Sequence, residues 1–313
     1  MEIRKLPIGQ GLAWFKQSID LGGHNPRGVF GAAALLLVAL YAVGILAVLP
    51  MVLSVPGTGG GDPDVGEVLG RIWPFIVLMV LVVSTLLPFL VGGLMHVIRE
   101  TEAGNKPGAL ALFRAFRSGR AGSLAAVGLL MLGIQVVGGA LVMMAGGSEY
   151  LAAYADMVRG MLAGSDPRTL AQPDSSLLMF VMQLLVNYVG YAVLLFTVPS
   201  ILFLGAPLGE ALAGSLKASV RNIGPNLLAG VLLVLAMLVA MLLFLLLMAL
   251  IVVVGNAIHQ VFGTFLTLVV GLLFASAVIV VLVGAAYLAW RDTFDAGAVP
   301  AAGPDAAHPG IEA

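Results

Sequence analysis

Between Arg221 and Arg291 the chain carries no Asp, Glu, Lys or Arg. No water-soluble domain is built from such a stretch, because charged side chains make up about 25% of an ordinary globular sequence. The pattern extends along the whole chain, which is 60% hydrophobic and only 10% charged, with a mean hydropathy of +1.08. The solvent that suits it is lipid. A helix crossing the hydrocarbon core needs about 20 consecutive apolar residues. Six runs reach that length: residues 29–53, 72–98, 121–147, 177–204, 227–254 and 264–290. They predict an all-α, polytopic membrane protein with one integral domain over residues 1–295. The Ala/Pro/Gly-rich stretch 296–313 reads as a disordered tail. A polar and amphipathic segment precedes the first run, which is longer than the apolar region of a cleaved leader, roughly 7–15 residues. The first span is therefore expected to stay in the mature protein.

Three amphipathic segments precede three of the spans. In the first, Ile8, Leu12, Phe15 and Ile19 recur at helical spacing, with Lys16 and Asp20 on other faces. In the second, Leu110, Phe113 and Phe116 form an apolar edge among Arg114, Arg117 and Arg120. In the third, Leu208, Leu212, Leu216 and Val220 fall at steps of four, with Lys217 and Arg221 off that face. Proline breaks follow two of them, at His24-Asn25-Pro26 and Gly224-Pro225. The expected unit is an interfacial helix followed by an antiparallel pair of spans, used three times. Trp14, Phe15, Phe113 and Phe116 are the expected anchors in the headgroup layer, where aromatic rings are enriched.

Charge sets the expected orientation. With six spans, twelve of the fifteen Lys and Arg residues fall on the side holding both termini and all three amphipathic segments. The other side holds three, against seven acidic residues. The positive-inside rule then places both termini in the cytoplasm. The basic run Arg99 to Arg120 is also expected to attract anionic lipid headgroups, although topology alone accounts for the same charges.

The residues point away from catalysis. There is no cysteine, which removes thiolate nucleophiles, iron–sulfur clusters and sulfur-ligated zinc. No phosphate loop, Gly-x-Ser-x-Gly or His-Glu-x-x-His motif occurs, and no carboxylate lies within a predicted span. No cofactor, resident metal or nucleic acid is expected. Asp62, Asp64 and Glu67 offer oxygen ligands, but a divalent-cation site needs several more converging ones, and a solvated acidic loop is the expected reading. His96 sits near the end of its span beside Arg99 and Glu100, and His24, His259 and His308 lie in turns or the tail. The best intramembrane polar stripe is Gln183, Asn187 and Tyr191, each four residues from the next and so on one helix face. It reads either as a pore or pocket lining or as interhelical hydrogen bonding.

The pattern Gly11-Leu12-Ala13-Trp14-Phe15-Lys16, with His24-Asn25-Pro26 before the first span, resembles a family of uncharacterised proteobacterial multi-spanning inner-membrane proteins. It is distantly similar to the membrane domains associated with glycerophosphodiester phosphodiesterases. The resemblance implies a bacterial inner-membrane location and brings no catalytic residues. The expectation is a non-enzymatic inner-membrane protein working through lipid or protein contacts, with a small-solute facilitator or channel as the alternative.

Overall fold

The computed structural model describes residues 2–54, 65–162, 165, 169–171 and 173–294. Among them the regular structure is entirely helical. In chain order come α1 (Gln10–Asp20), α2 (Pro26–Ser54), α3 (Val65–Glu102), a 3₁₀ helix (Ala109–Arg117), α4 (Ala121–Leu162) and α5 (Leu177–Ala192). A π turn (Val193–Thr197), α6 (Val198–Phe203), α7 (Leu208–Arg221), α8 (Ile223–Ile258) and α9 (Gln260–Phe294) follow. Asp62 and Asp64, the side chain of Glu67, and the tail 296–313 lie outside the described residues.

Six helical stretches are long and apolar enough to cross a membrane: Pro26–Pro50, Gly70–Glu102, Ala121–Met161, Leu177–Phe203, Ile223–Gly255 and Gln260–Phe294. Even their most apolar parts are at most 28% buried within the protein. Protein packing does not cover these helices, so acyl chains must. The chain is a polytopic all-α membrane protein.

Three local departures from the sequence expectation have physical causes. The second interfacial element is a 3₁₀ helix, not an α-helix. Its apolar residues Leu110, Phe113 and Phe116 are spaced by three, and a 3₁₀ helix turns every three residues, so they align along one edge. The fourth span is interrupted by the π turn just before Pro199, a residue that cannot donate to a continuing helix. The third span runs on to Leu162 across a break at Gly147, whose φ is +77°, a value that glycine adopts without strain.

The interfacial elements interlock in a ring. Two of them pack beneath spans that precede them: the 3₁₀ helix against α2 and α3, and α7 against the fourth span, at α5, the π turn and α6. The first, α1, packs against α8 and α9 and so joins the beginning of the chain to its last pair. The strand leading into each element is gripped from the start of an outgoing span. Asn25 Nδ2 donates to the carbonyl of Pro107 at 3.0 Å, ahead of the 3₁₀ helix. Asn222 accepts from the Leu6 N–H and donates to the Arg4 carbonyl, both at 2.9 Å, ahead of α1. At the third position the Arg120 guanidinium lies against Gly205, ahead of α7.

The core sits in the half of the bundle next to these elements. Buried apolar residues run from Val29 to Leu36 in α2, from Phe89 to Ile98 in α3, at Leu124 and Val127 in α4, and from Val280 to Phe294 in α9. Toward the opposite face the helices are mostly exposed, with isolated buried positions such as Ile72, Val142 and Met179. Glycines permit the closest approaches. A Cβ on Gly93 would lie 1.8 Å from the Leu112 carbonyl oxygen of the 3₁₀ helix. On Gly128 it would lie 2.2 Å from the Ser84 carbonyl, the group that Pro88, four residues on, leaves without its helical donor.

Gly93→Ala is expected to lower stability in detergent-denaturation assays by about 1–3 kcal/mol, as overpacking does. Gly133→Ala, in a helix with open space around the added methyl, should be neutral or mildly stabilising. Equal effects at the two sites would contradict the close docking of the 3₁₀ helix on α3.

Candidate functional site

The densest polar cluster joins the ends of α3 and α9 to α1. Arg291 donates to Glu102 through Nη1 and to Asp292 through Nε at 2.8 Å. The Tyr287 hydroxyl donates to Glu102 Oε2 at 2.9 Å. Asp292 Oδ2 accepts from both Gln10 Nε2 and Trp14 Nε1, each at 2.8 Å. The Arg4 N–H closes the group on the Thr293 carbonyl at 2.9 Å. One guanidinium thus stands between two carboxylates, and the surplus negative charge is met by neutral donors of α1. Below it, Trp290 Nε1 donates to Ser200 Oγ at 2.9 Å, buried, and the Arg99 guanidinium lies 4.8 Å over the Phe203 ring. The cluster is a clasp: every carboxylate oxygen named has a donor, and no acid or base is left free to act on a substrate.

Trp14 belongs to this clasp. The expected headgroup anchor has no exposed surface, so its ring packs in protein and not in the lipid interface. The physical reason is the partly buried carboxylate of Asp292, which offers the indole N–H an ionised acceptor. Phe15 is half-buried. The face of α1 that packs on the protein is Gly11, Trp14 and Ser18, while Ile8 and Ile19 remain exposed. The same inversion occurs in α7, where Ala211, Ser215, Ala218 and Ser219 pack inward and Leu216 and Val220 are exposed. In the 3₁₀ helix Leu112 and Ala115 pack inward, and Leu110, Phe113 and Phe116 are exposed. Small side chains, together with Trp14 and Leu112, dock these elements, and several large apolar side chains of each face out.

The stripe on the fourth span is assembled differently from the clasp. Gln183 Nε2 donates to Asn187 Oδ1 at 3.0 Å, and both side chains are exposed. Tyr191, one turn on, is half-buried and packs onto the core, 5.9 Å from the Phe196 ring. Tyr188, beside it, donates its hydroxyl proton to the Ser219 carbonyl at 2.7 Å. The face that carries Gln183 and Asn187 is therefore the one that enters the core at Tyr191, and the bundle opens above it. Below Tyr191 the way is filled by Phe196, Leu94, Ile98, Leu288 and Trp290, all essentially without exposed surface.

A third feature is apolar. A groove of about 340 Å³, open on one side, is lined by Leu81, Val82, Thr85, Leu86, Phe89 and Phe116. Phe116 reaches it by stacking on Phe89, with ring centres 4.6 Å apart. His96 lies 3.3 Å from Arg114. Among the described residues no three His, Asp or Glu side chains come together as a metal-ligand set.

The clasp escaped the sequence reading because its members, Glu102, Arg291 and Asp292, sit at span ends where charge has a topological explanation. A signal was present: Val91-Gly92 is followed by Arg99-Glu100-Thr101, and Val283-Gly284 at the same distance by Arg291-Asp292-Thr293. Comparison with protein-family models, curated proteins and solved structures gives no match.

Trp14→Phe keeps the ring and removes the donor to Asp292. Its expected cost is about 1.5–3 kcal/mol, the range for a hydrogen bond to a charged group. A double-mutant cycle with Asp292→Asn should show coupling. Strictly additive losses would mean that the two side chains do not interact.

Proposed function

We propose that the chain is a non-enzymatic integral protein of a bacterial inner membrane, with both termini cytoplasmic, that works through contacts with lipid or with other membrane proteins. One observation carries the reading. All three interfacial elements hold large apolar residues on exposed faces (Leu12 and Ile19, with Ile8 just before them; Leu110, Phe113 and Phe116; Leu216 and Val220), beside exposed Lys and Arg. That is the chemistry of a surface lying at the headgroup boundary. The clasp is in keeping with it, since its carboxylates are all taken up by donors within the protein. The placement of twelve of the fifteen basic residues on the terminal side supports the orientation.

A small-solute facilitator is the second reading, favoured by the exposed Gln183–Asn187 pair above Tyr191. The packed residues beneath Tyr191 oppose it, since passage would need Phe196 and Trp290 to move.

The absence of cysteine makes both readings accessible to single-cysteine chemistry. Glu149→Cys should react with a membrane-impermeant maleimide in intact spheroplasts, and Lys106→Cys only after permeabilisation. The reverse pattern overturns the orientation. Purified protein in liposomes should pass glycerol and urea no faster than protein-free vesicles. Flux abolished by Gln183→Leu would establish the facilitator instead.

A further inference from the structure

The apolar groove and the arginines above it form one composite surface. We propose that it is a binding site for a single anionic phospholipid, with an acyl chain in the groove and the phosphate at Arg114, Arg117 and Arg120. The inference deepens the lipid-contact reading and rests on it.

The groove wall from Leu81 to Phe89 extends for about 12 Å at the 1.5 Å rise of an α-helix, a length suited to part of an acyl chain. Its lining is aliphatic and aromatic. The one hydroxyl there, Thr85 Oγ1, already donates to the Leu81 carbonyl at 2.7 Å, so the wall presents no unsatisfied donor to a hydrocarbon chain. At one end Phe116 forms the wall by stacking on Phe89, and Phe116 belongs to the interfacial 3₁₀ helix. The groove therefore begins at the level where headgroups lie and continues toward the bilayer interior.

The charges stand at that same end. Three residues per turn place Arg114 and Arg117 on one edge of the 3₁₀ helix, next to the edge of Leu110, Phe113 and Phe116. Arg120 opens α4 directly after it. All three side chains are exposed, and among the described residues none forms an ion pair with a carboxylate. Arg114 Nη1 lies 3.3 Å from His96 Nε2. Elsewhere on the same side of the protein, Arg291 is held by Glu102 and Asp292. Three unneutralised guanidinia over an apolar slot complement a phosphodiester attached to an acyl chain. A zwitterionic headgroup offers the same phosphate with a cation that the cluster repels.

The experiment places a fluorescent bimane on Thr85→Cys, inside the groove, and on Leu242→Cys, on the exposed face of α8. Each protein is reconstituted in vesicles containing brominated phosphatidylglycerol or brominated phosphatidylcholine. At Thr85 the relative affinity for phosphatidylglycerol should exceed that for phosphatidylcholine by about fivefold or more, the effect expected of even one basic residue near an anionic surface. At Leu242 the ratio should be close to one. Replacing Arg114, Arg117 and Arg120 together by Gln should bring the Thr85 ratio down to the Leu242 value. Equal ratios at the two sites in the otherwise unaltered protein overturn the proposal while leaving the membrane reading intact. A Thr85 preference that survives the triple substitution also overturns it. Absence of quenching by either lipid at Leu242 overturns the membrane reading itself.

Discussion

The joint between α1 and the last pair of spans is the contact on which the ring depends. Two of the three interfacial elements dock beneath spans that immediately precede them, so their partners are near in sequence and the loops to be closed are short. The first has no preceding pair. It docks on α8 and α9, and Trp14 meets Asp292 across nearly the whole chain. Loop-closure entropy grows only slowly with length, so the penalty for this long connection is modest. It must still be met by specific contacts, and the N-terminal segment supplies them in number: Arg4, Leu6, Gln10 and Trp14 all hydrogen-bond to residues beyond 220. Removing residues 1–20 would leave Asp292 without its neutral donors and Asn222 without the segment it grips.

Lipid explains why the core is placed where it is. Within a bilayer, separating two Leu-rich helices exposes them to a solvent as apolar as themselves, so packing there rests on close contact and polar bonds. The strongest polar bonds of this protein lie at the ends of α3 and α9, where Glu102, Tyr287, Arg291 and Asp292 meet. Close backbone approaches at Gly93, Gly28 and Gly11 lie in the same half. The opposite half has neither in comparable number, and its helices are largely exposed. α8 is the extreme case, with only 6% of its most apolar stretch buried and no polar side chain from Leu227 to Val254.

The spans, their number and the existence of three interfacial elements could be read from hydropathy alone, because lipid imposes a length and a composition that few other environments demand. The faces of those elements could not. Periodicity identifies an apolar stripe without stating whether protein or lipid covers it. In α1 Leu12 and Ile19, with Ile8 just before them, face out while Gly11, Trp14 and Ser18 face in, and in α7 Leu216 and Val220 face out while Ala211, Ser215, Ala218 and Ser219 face in. A soluble protein would reverse that choice. Trp14 went to the core for a reason invisible in its own neighbourhood, since its acceptor is nearly three hundred residues away. The repeat was more legible than hydropathy suggests. Pro7, Pro107 and Pro207 each precede an interfacial element, and Gly9-Gln10-Gly11-Leu12-Ala13 has its counterpart in Gly209-Glu210-Ala211-Leu212-Ala213.

The middle unit is where this symmetry fails, and it fails in related ways. Its interfacial element is a 3₁₀ helix. Arg120 takes the place of the gripping asparagine. Its returning span holds Thr197, not an arginine, where the other two carry Arg99 and Arg291, and Thr197 bonds Ser215 at 3.0 Å in a fully buried pair. A 3₁₀ helix is narrower than an α-helix, and its side chains stack directly above one another. The apolar groove opens beside it, against α3, with Phe116 as the one interfacial side chain that reaches in. The groove thus lies at the unit that departs from the pattern of the other two. A chain selected only for a stable ring has no need of the exception, which places the distinctive surface of this protein at its second unit.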